Sequence, residues 1–120
     1  MIVIEEQNGV LILRKASLSD ICEAVYAVTM TIPPGRVSTY SSIARVLGVS
    51  PRIVAYCLSK NKELIKIPCH RVVYSNRGLG GFSNGGPLLK KRLLELEGVR
   101  VKDNRVEKEF IVDVGGMILE

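Results

Sequence analysis

Apolar positions along the 120-residue chain change their period several times, and each change predicts an element. Residues Ile2 to Leu13 alternate loosely around Asn8-Gly9, which predicts two strands joined by a tight hairpin turn. Ile21, Ala24, Val25 and Val28 then recur at helical spacing behind Ser17 or Ser19, either of which can cap a helix running to about Met30. Ile32-Pro33-Pro34-Gly35 ends that helix, because proline lacks an amide donor and glycine permits the turn. A compact helical pair follows. Ser38 or Thr39 caps Tyr40 to Leu47, Gly48-Val49 turns the chain, and Ser50 caps a second helix with Pro51 at its first position, where a missing amide costs little. Short helix, glycine turn and capped second helix predict a helix-turn-helix. On the second helix Val54, Cys57 and Leu58 share a core face, whereas Arg52, Ala55, Tyr56 and Ser59 share the opposite one, with a composition suited to nucleic acid.

Farther on, Ile67-Pro68-Cys69-His70-Arg71-Val72-Val73 is an apolar run that reads as a central strand ending near Tyr74. Ser75 to Gly86 is glycine-rich without the residue order of a phosphate-binding loop, and reads as a loop whose backbone approaches a ligand closely. Pro87 to Glu97 predicts a helix with Leu89, Leu93, Leu94 and Leu96 inward, three basic residues at 90 to 92, and Gly98 as its stop. From Val99 to Glu120, segments alternate about Asp103-Asn104. A small sheet and a loosely packed tail both remain open there, and no function is legible.

Composition narrows the class. A chain of this length forms one domain with a modest core, and 47% hydrophobic residues make it globular. The formal charge of +5 favours an anionic partner. Three cysteines, at 22, 57 and 69, are an odd number without disulfide or metal-ligand spacing; they read as thiols in a reducing cytosol, with Cys22 as packing and no metal site. The opening Met1 to Glu6 is too short and acidic for a signal peptide, and no apolar run is long enough to span a bilayer. The expectation is a soluble cytoplasmic protein without a membrane partner.

The chemistry concentrates at Cys69, which neighbours the only histidine. A thiol beside a group that titrates near neutrality can be prepared for nucleophilic attack, since the thiolate is the reactive form. In an extended run residues 69 and 70 point to opposite faces. His70 would then act on the sulfur through water, and a third group would orient the imidazole. Adjacency alone leaves open a buried structural thiol next to a satisfied histidine.

Pro68-Cys69-His70-Arg71-Val72 resembles the active-site signature of the alkylguanine-DNA alkyltransferases, also called methylated-DNA-protein-cysteine methyltransferases. The resemblance runs from about Val25 to Val101, through Pro34-Gly35-Arg36-Val37, Tyr40, Arg52, Asn61 and Leu94 to Gly98. It implies DNA repair by direct reversal: an alkyl group passes from the O6 oxygen of guanine in double-stranded DNA to Cys69, once per chain and without a cofactor. It further implies that Glu97 holds His70, which relays the thiol proton through water, and that Asn61 ties the helix-turn-helix to the active-site strand. Tyr40 would crowd the target phosphate and help protonate the leaving base, and Arg52 would fill the stack behind a flipped nucleotide. Val72 and Cys69 would offer carbonyls to the guanine amine, Ser83 a hydrogen bond near O6, and Phe82 an apolar wall where family members often carry tyrosine.

For the whole chain the resemblance implies an α+β, mainly helical, winged-helix-like domain. A hairpin over residues 1–16 replaces the usual N-terminal domain, the alkyltransferase core spans 17–102, and 103–120 form an extension. Two departures stand out. Tyr56 and Cys57 are bulkier than the family's groove-facing pattern, and the reduced N-terminus suggests a protein partner in place of the missing domain. Two other functions compete. A damage sensor would bind the lesion without transfer, yet family sensors replace the cysteine that is present here; a winged-helix regulator would not need Tyr40, Arg52, Asn61, Cys69, His70 and Glu97 together.

Overall fold

A computed structural model describes residues 1–63, 66–80 and 86–119, the side chains of 118 and 119 excepted. The chain opens on an antiparallel hairpin of β1 (Ile2–Gln7) and β2 (Val10–Lys15), with Ile4 opposite Leu13. Asn8 and Gly9 turn it with φ of 53° and 79°, the two-residue geometry that matches strand twist. Arg14 ties the hairpin to the body: its guanidinium donates to Glu5 at 2.7 Å and to both carboxylate oxygens of Asp20 at 2.6 and 3.2 Å. Asp20 also completes a capping box with Ser17, which starts α1 (Leu18–Thr29).

Side-chain caps set the next boundaries where the sequence expected them. β3 (Ser38–Thr39) runs straight into α2 (Tyr40–Leu47), whose Ser42 amide donates to the Thr39 hydroxyl at 3.0 Å. Gly48 ends α2 at φ 68°, and Ser50 caps α3 (Pro51–Ser59) with proline first. Together α2 and α3 make the helix-turn-helix of a mixed, mainly helical fold.

The centre of the molecule is a very short parallel pair. Ser38 and Thr39 of β3 lie opposite Val72 and Val73 of β4 (Val72–Val73). Successive strand residues point to opposite faces, so Val72 joins one apolar cluster, with Val25, Ile43, Val54 and Cys69, while Val73 joins another, with Val37, Leu79, Leu94 and Val106. Helix α4 (Gly86–Leu96) covers the second cluster through Leu94. A second hairpin, β5 (Val101–Lys102) with β6 (Arg105–Val106), is bridged to Gly78. The C-terminal stretch closes over α2: Val37 bridges Ile111, and the Ser42 hydroxyl donates to Asp113 and accepts the Val114 amide, each at 2.9 Å, as α5 (Val114–Leu119) begins. Val114 is fully buried, so this stretch is a packed part of the core and not a loose tail.

Three expectations are corrected. The run from Ile67 is not one strand: Cys69–Arg71 form a 3-10 turn before β4, closed by the Arg71 amide on the Pro68 carbonyl at 2.9 Å. Leu96 does not point inward; it is 83% exposed, and Lys90 is fully buried on the helix it was expected to decorate. Cys22 and Cys57 are not thiols but a disulfide, with Cα atoms 5.0 Å apart, joining α1 to α3 and leaving Cys69 as the free cysteine. Helix packing brings the two together across 35 residues, so no local spacing announces the pair. The inference from free thiols to a reducing compartment lapses with it, because disulfides are rare in mesophilic cytosol but common inside hyperthermophilic archaea. Among the described residues no helix is long and apolar enough to cross a membrane.

A crosslink closing a loop of this size removes about 3–4 kcal/mol of chain entropy from the unfolded state. Cys22→Ser is expected to lower the free energy of urea unfolding by that order. Thiol titration of the denatured, unreduced protein should find Cys69 alone; three reactive thiols would refute the crosslink.

Candidate active site

Asn61, just past the α3 cap, sets where the chain returns toward Cys69. Its buried side-chain amide donates to the Ile67 carbonyl at 2.9 Å, and its oxygen accepts the Glu63 amide at 2.9 Å. The 3-10 turn then places Cys69, His70 and Arg71 in three directions, where a strand would have alternated them between two faces. Cys69 is buried in the cluster with Val72. His70 and Arg71 both reach Glu97 at the end of α4, which no alternating strand allows for adjacent residues.

The Glu97 carboxylate faces Nε2 of His70 at 3.0 Å, accepts Arg71 Nε at 3.0 Å, and takes a short contact from Arg71 Nη2 on its other oxygen. Arg71 Nη1 donates to the Ile32 carbonyl at 2.8 Å, anchoring the array to the loop after α1. Two glycines permit this closeness. Gly98, at φ 89°, ends α4 so that its last carbonyls are capped by the Gly98 and Val99 amides, each at 3.0 Å. Gly35, at φ 86°, lies where a Cβ would stand 3.3 Å from the Glu97 carbonyl.

Electrostatics sets the protonation. Burial would raise the Glu97 carboxyl, but the hydrogen bonds and charges of Arg71 and His70 outweigh it and leave it below the ordinary carboxylate value. Burial pushes His70 below its usual value, which the pull of Glu97 does not reverse. A neutral imidazole beside a carboxylate donates from Nε2, so Nδ1 keeps a lone pair. That Nδ1 is buried and has no hydrogen-bond partner among the described residues.

Lys90 belongs to the same neighbourhood, and the sequence reading missed it. Its Nζ donates to the Val72 carbonyl at 2.7 Å and lies 5.8 Å from the Tyr40 ring. Burial pushes the ammonium down to about 8, opposed by the nearby Cys69 sulfur. Tyr40 follows β3 as Tyr74 follows β4, so the parallel register sets their rings side by side, 5.6 Å between centroids. Burial, with Tyr74 and Cys69 nearby, pushes the Tyr40 hydroxyl up to about 12, which keeps it a proton donor at neutral pH. Only its helical spacing to Leu93 and Leu94, three and four residues on, could have flagged Lys90.

The other candidates divide cleanly. Arg52, Tyr56 and Ser59 are exposed and Ala55 half-buried on α3, opposite its buried Val54, Cys57 and Leu58. The Ser59 hydroxyl donates to the Tyr56 carbonyl at 2.6 Å, and Lys60 stands 5.4 Å from the Tyr56 ring. The Val72 carbonyl is engaged by Lys90, and that of Cys69 by the Val72 amide. Phe82 and Ser83 lie outside the described residues.

A thiol in a 3-10 turn, next to a histidine, carboxylate and arginine array and downstream of a helix-turn-helix, defines a cysteine-centred site on a helix-turn-helix fold. Residues 20–99 match the DNA binding domain of the 6-O-methylguanine DNA methyltransferases, and the chain belongs to that family. It is 52% identical over 80 residues to the methylated-DNA--protein-cysteine methyltransferase of Saccharolobus islandicus, covering 67% of this chain and 52% of that protein. The chain thus spans about half the length of the curated relatives it matches. Among solved structures it is similar to the O6-methylguanine-DNA methyltransferase of the hyperthermophilic archaeon Pyrococcus kodakaraensis, at 41% identity and a TM-score of 0.61, over 66% of this chain and 46% of that one. It is also similar to S. pombe Atl1 in complex with damaged DNA containing O6-carboxymethylguanine, at 25% identity and a TM-score of 0.71, over 81% of this chain and 98% of that one.

Lys90 titrates near 10.5 when unfolded and about 8 when native, so between those values the unfolded chain holds a proton that the native chain has released. Stability must rise with pH across that window. Relative to Lys90→Met, the wild type is expected to gain about 3 kcal/mol from about pH 7 to pH 10.5, read by urea unfolding of both proteins. A flat difference would show that burial does not depress the Lys90 ammonium.

Proposed function

We propose that this protein reverses alkylation of guanine in double-stranded DNA by moving the alkyl group onto Cys69. What carries the reading is the array of Arg71, Glu97 and His70 that ends on the buried lone pair of Nδ1, one residue from the free thiol. The Cys69 proton passes through a bridging water to Nδ1, and Glu97 stabilises the imidazolium that forms. The thiolate then attacks the alkyl carbon; the carbon–sulfur bond forms as the bond to O6 breaks. Guanine leaves with the electron pair and is protonated by the Tyr40 hydroxyl, which recovers its proton from solvent. The thioether has no hydrolysable bond, so each chain reacts once. Lys90 holds the Val72 carbonyl and places a positive charge near the developing thiolate.

A buried sulfur cannot reach O6 within a stacked duplex, so the nucleotide must turn out, which costs a few kcal/mol. The outer face of α3 meets the minor groove, with Arg52 filling the stack and Ala55, Tyr56 and Ser59 against the backbone. Asn61 keeps that helix in register with the turn that carries Cys69.

A second reading, binding of the lesion without transfer, draws on the greater share of Atl1 that this chain covers. Cys69 separates the two. Intact mass after incubation with a duplex carrying one O6-methylguanine should rise by one methyl per chain, on the Cys69 peptide, and Cys69→Ala should abolish the rise while keeping DNA binding. An unchanged mass with retained binding would transfer the case to the sensor. Arg52→Ala is expected to slow transfer from duplex roughly ten- to hundredfold while sparing reaction with the free alkylated base. Equal losses on both substrates would remove Arg52 from extrusion.

A further inference from the structure

The hairpin of β1 and β2 contributes to neither apolar cluster, and its register sorts its side chains by face. Cross-strand partners share a face. Val3 and Arg14, with Glu5 and Ile12, form the inner one, which Arg14 ties to Asp20 of α1. Ile2 and Lys15, Ile4 and Leu13, and Glu6 and Leu11 form the outer one. Its four aliphatic side chains, Ile2, Ile4, Leu11 and Leu13, are 68, 64, 71 and 67% exposed. A two-stranded hairpin with a bare apolar face is at best marginally stable in water. The molecule is correspondingly elongated, 53 × 30 × 21 Å.

We propose that this outer face packs against the same face of a second copy of the chain. Charge selects the occupant and its orientation. The outer face carries Glu6 toward the turn and Lys15 at the base, neither engaged in an ion pair among the described residues. A two-fold axis perpendicular to the strands stacks Ile4 and Leu13 on their own equivalents. It also brings Glu6 of each copy level with Lys15 of the other, at both ends. Running the strands the same way would instead set Lys15 level with Lys15 and Glu6 level with Glu6. The antiparallel stack is therefore self-complementary, as an isologous interface must be. Six side chains per copy bury on the order of 1,000 Å² in total, the threshold for a specific contact. The inference is independent of the chemistry at Cys69.

Sedimentation of the full chain over a wide concentration range tests it, with mass rising from 13.2 kDa toward twice that value. Leu13→Asp should weaken the dimer by at least about tenfold, since a buried unpaired carboxylate is strongly disfavoured, while leaving the urea midpoint of the body unchanged. Glu6→Lys and Lys15→Glu should each weaken association, and the double swap should restore it, an outcome that misfolding of a single variant cannot imitate. A monomer at every concentration would give the face to some other occupant and overturn the proposal. So would a dimer indifferent to Leu13→Asp, or a double swap weaker than either single change.

Discussion

The Glu97 carboxylate is where the molecule is knotted together. It stands at the C-terminal end of a helix, whose partial negative charge disfavours an anion. It persists there because Arg71 and His70, consecutive in a 3-10 turn, both converge on it. Arg71 extends the tie to the Ile32 carbonyl, so three segments distant in sequence share one ionic node. Without the carboxylate a buried guanidinium would stand unpaired, which costs far more than an exposed pair is worth. The same anion decides which imidazole nitrogen keeps its lone pair.

The parallel pair of β3 and β4 turns that node into a site. Because Val72 and Val73 serve opposite clusters, the strand cannot slide by one residue without emptying both. Whatever follows each strand is thereby positioned, and Tyr40 and Tyr74 meet as a consequence. The buried ammonium of Lys90 fits the view that sites retain groups a purely stable core would discard.

Much of this was legible in sequence because it rests on local bonds. Ser17, Thr39 and Ser50 accept backbone amides a few residues away, and Gly48 and Gly98 supply left-handed turns, so helix boundaries could be read directly. The two faces of α3 followed from its period. The turn at Cys69–Arg71 was hidden because three residues between apolar neighbours carry no period that separates a 3-10 turn from a strand. Leu96 lay on the inward stripe, but α4 ends there and nothing is left to cover it. Lys90 defied composition, since lysine is ordinarily exposed. The thiol, histidine and carboxylate were recognisable by motif; that Arg71 shares the carboxylate depends on the turn and had no signature of its own.

The disulfide closes a covalent ring that begins in α1, passes through all of α2 and the glycine turn, and returns at Cys57. A protease that cuts the exposed turn at Gly48 therefore severs the backbone without separating the fragments. Nicked and intact molecules would migrate alike until a reductant opened the ring. The helix-turn-helix is thus fastened to the first helix by topology as well as by packing.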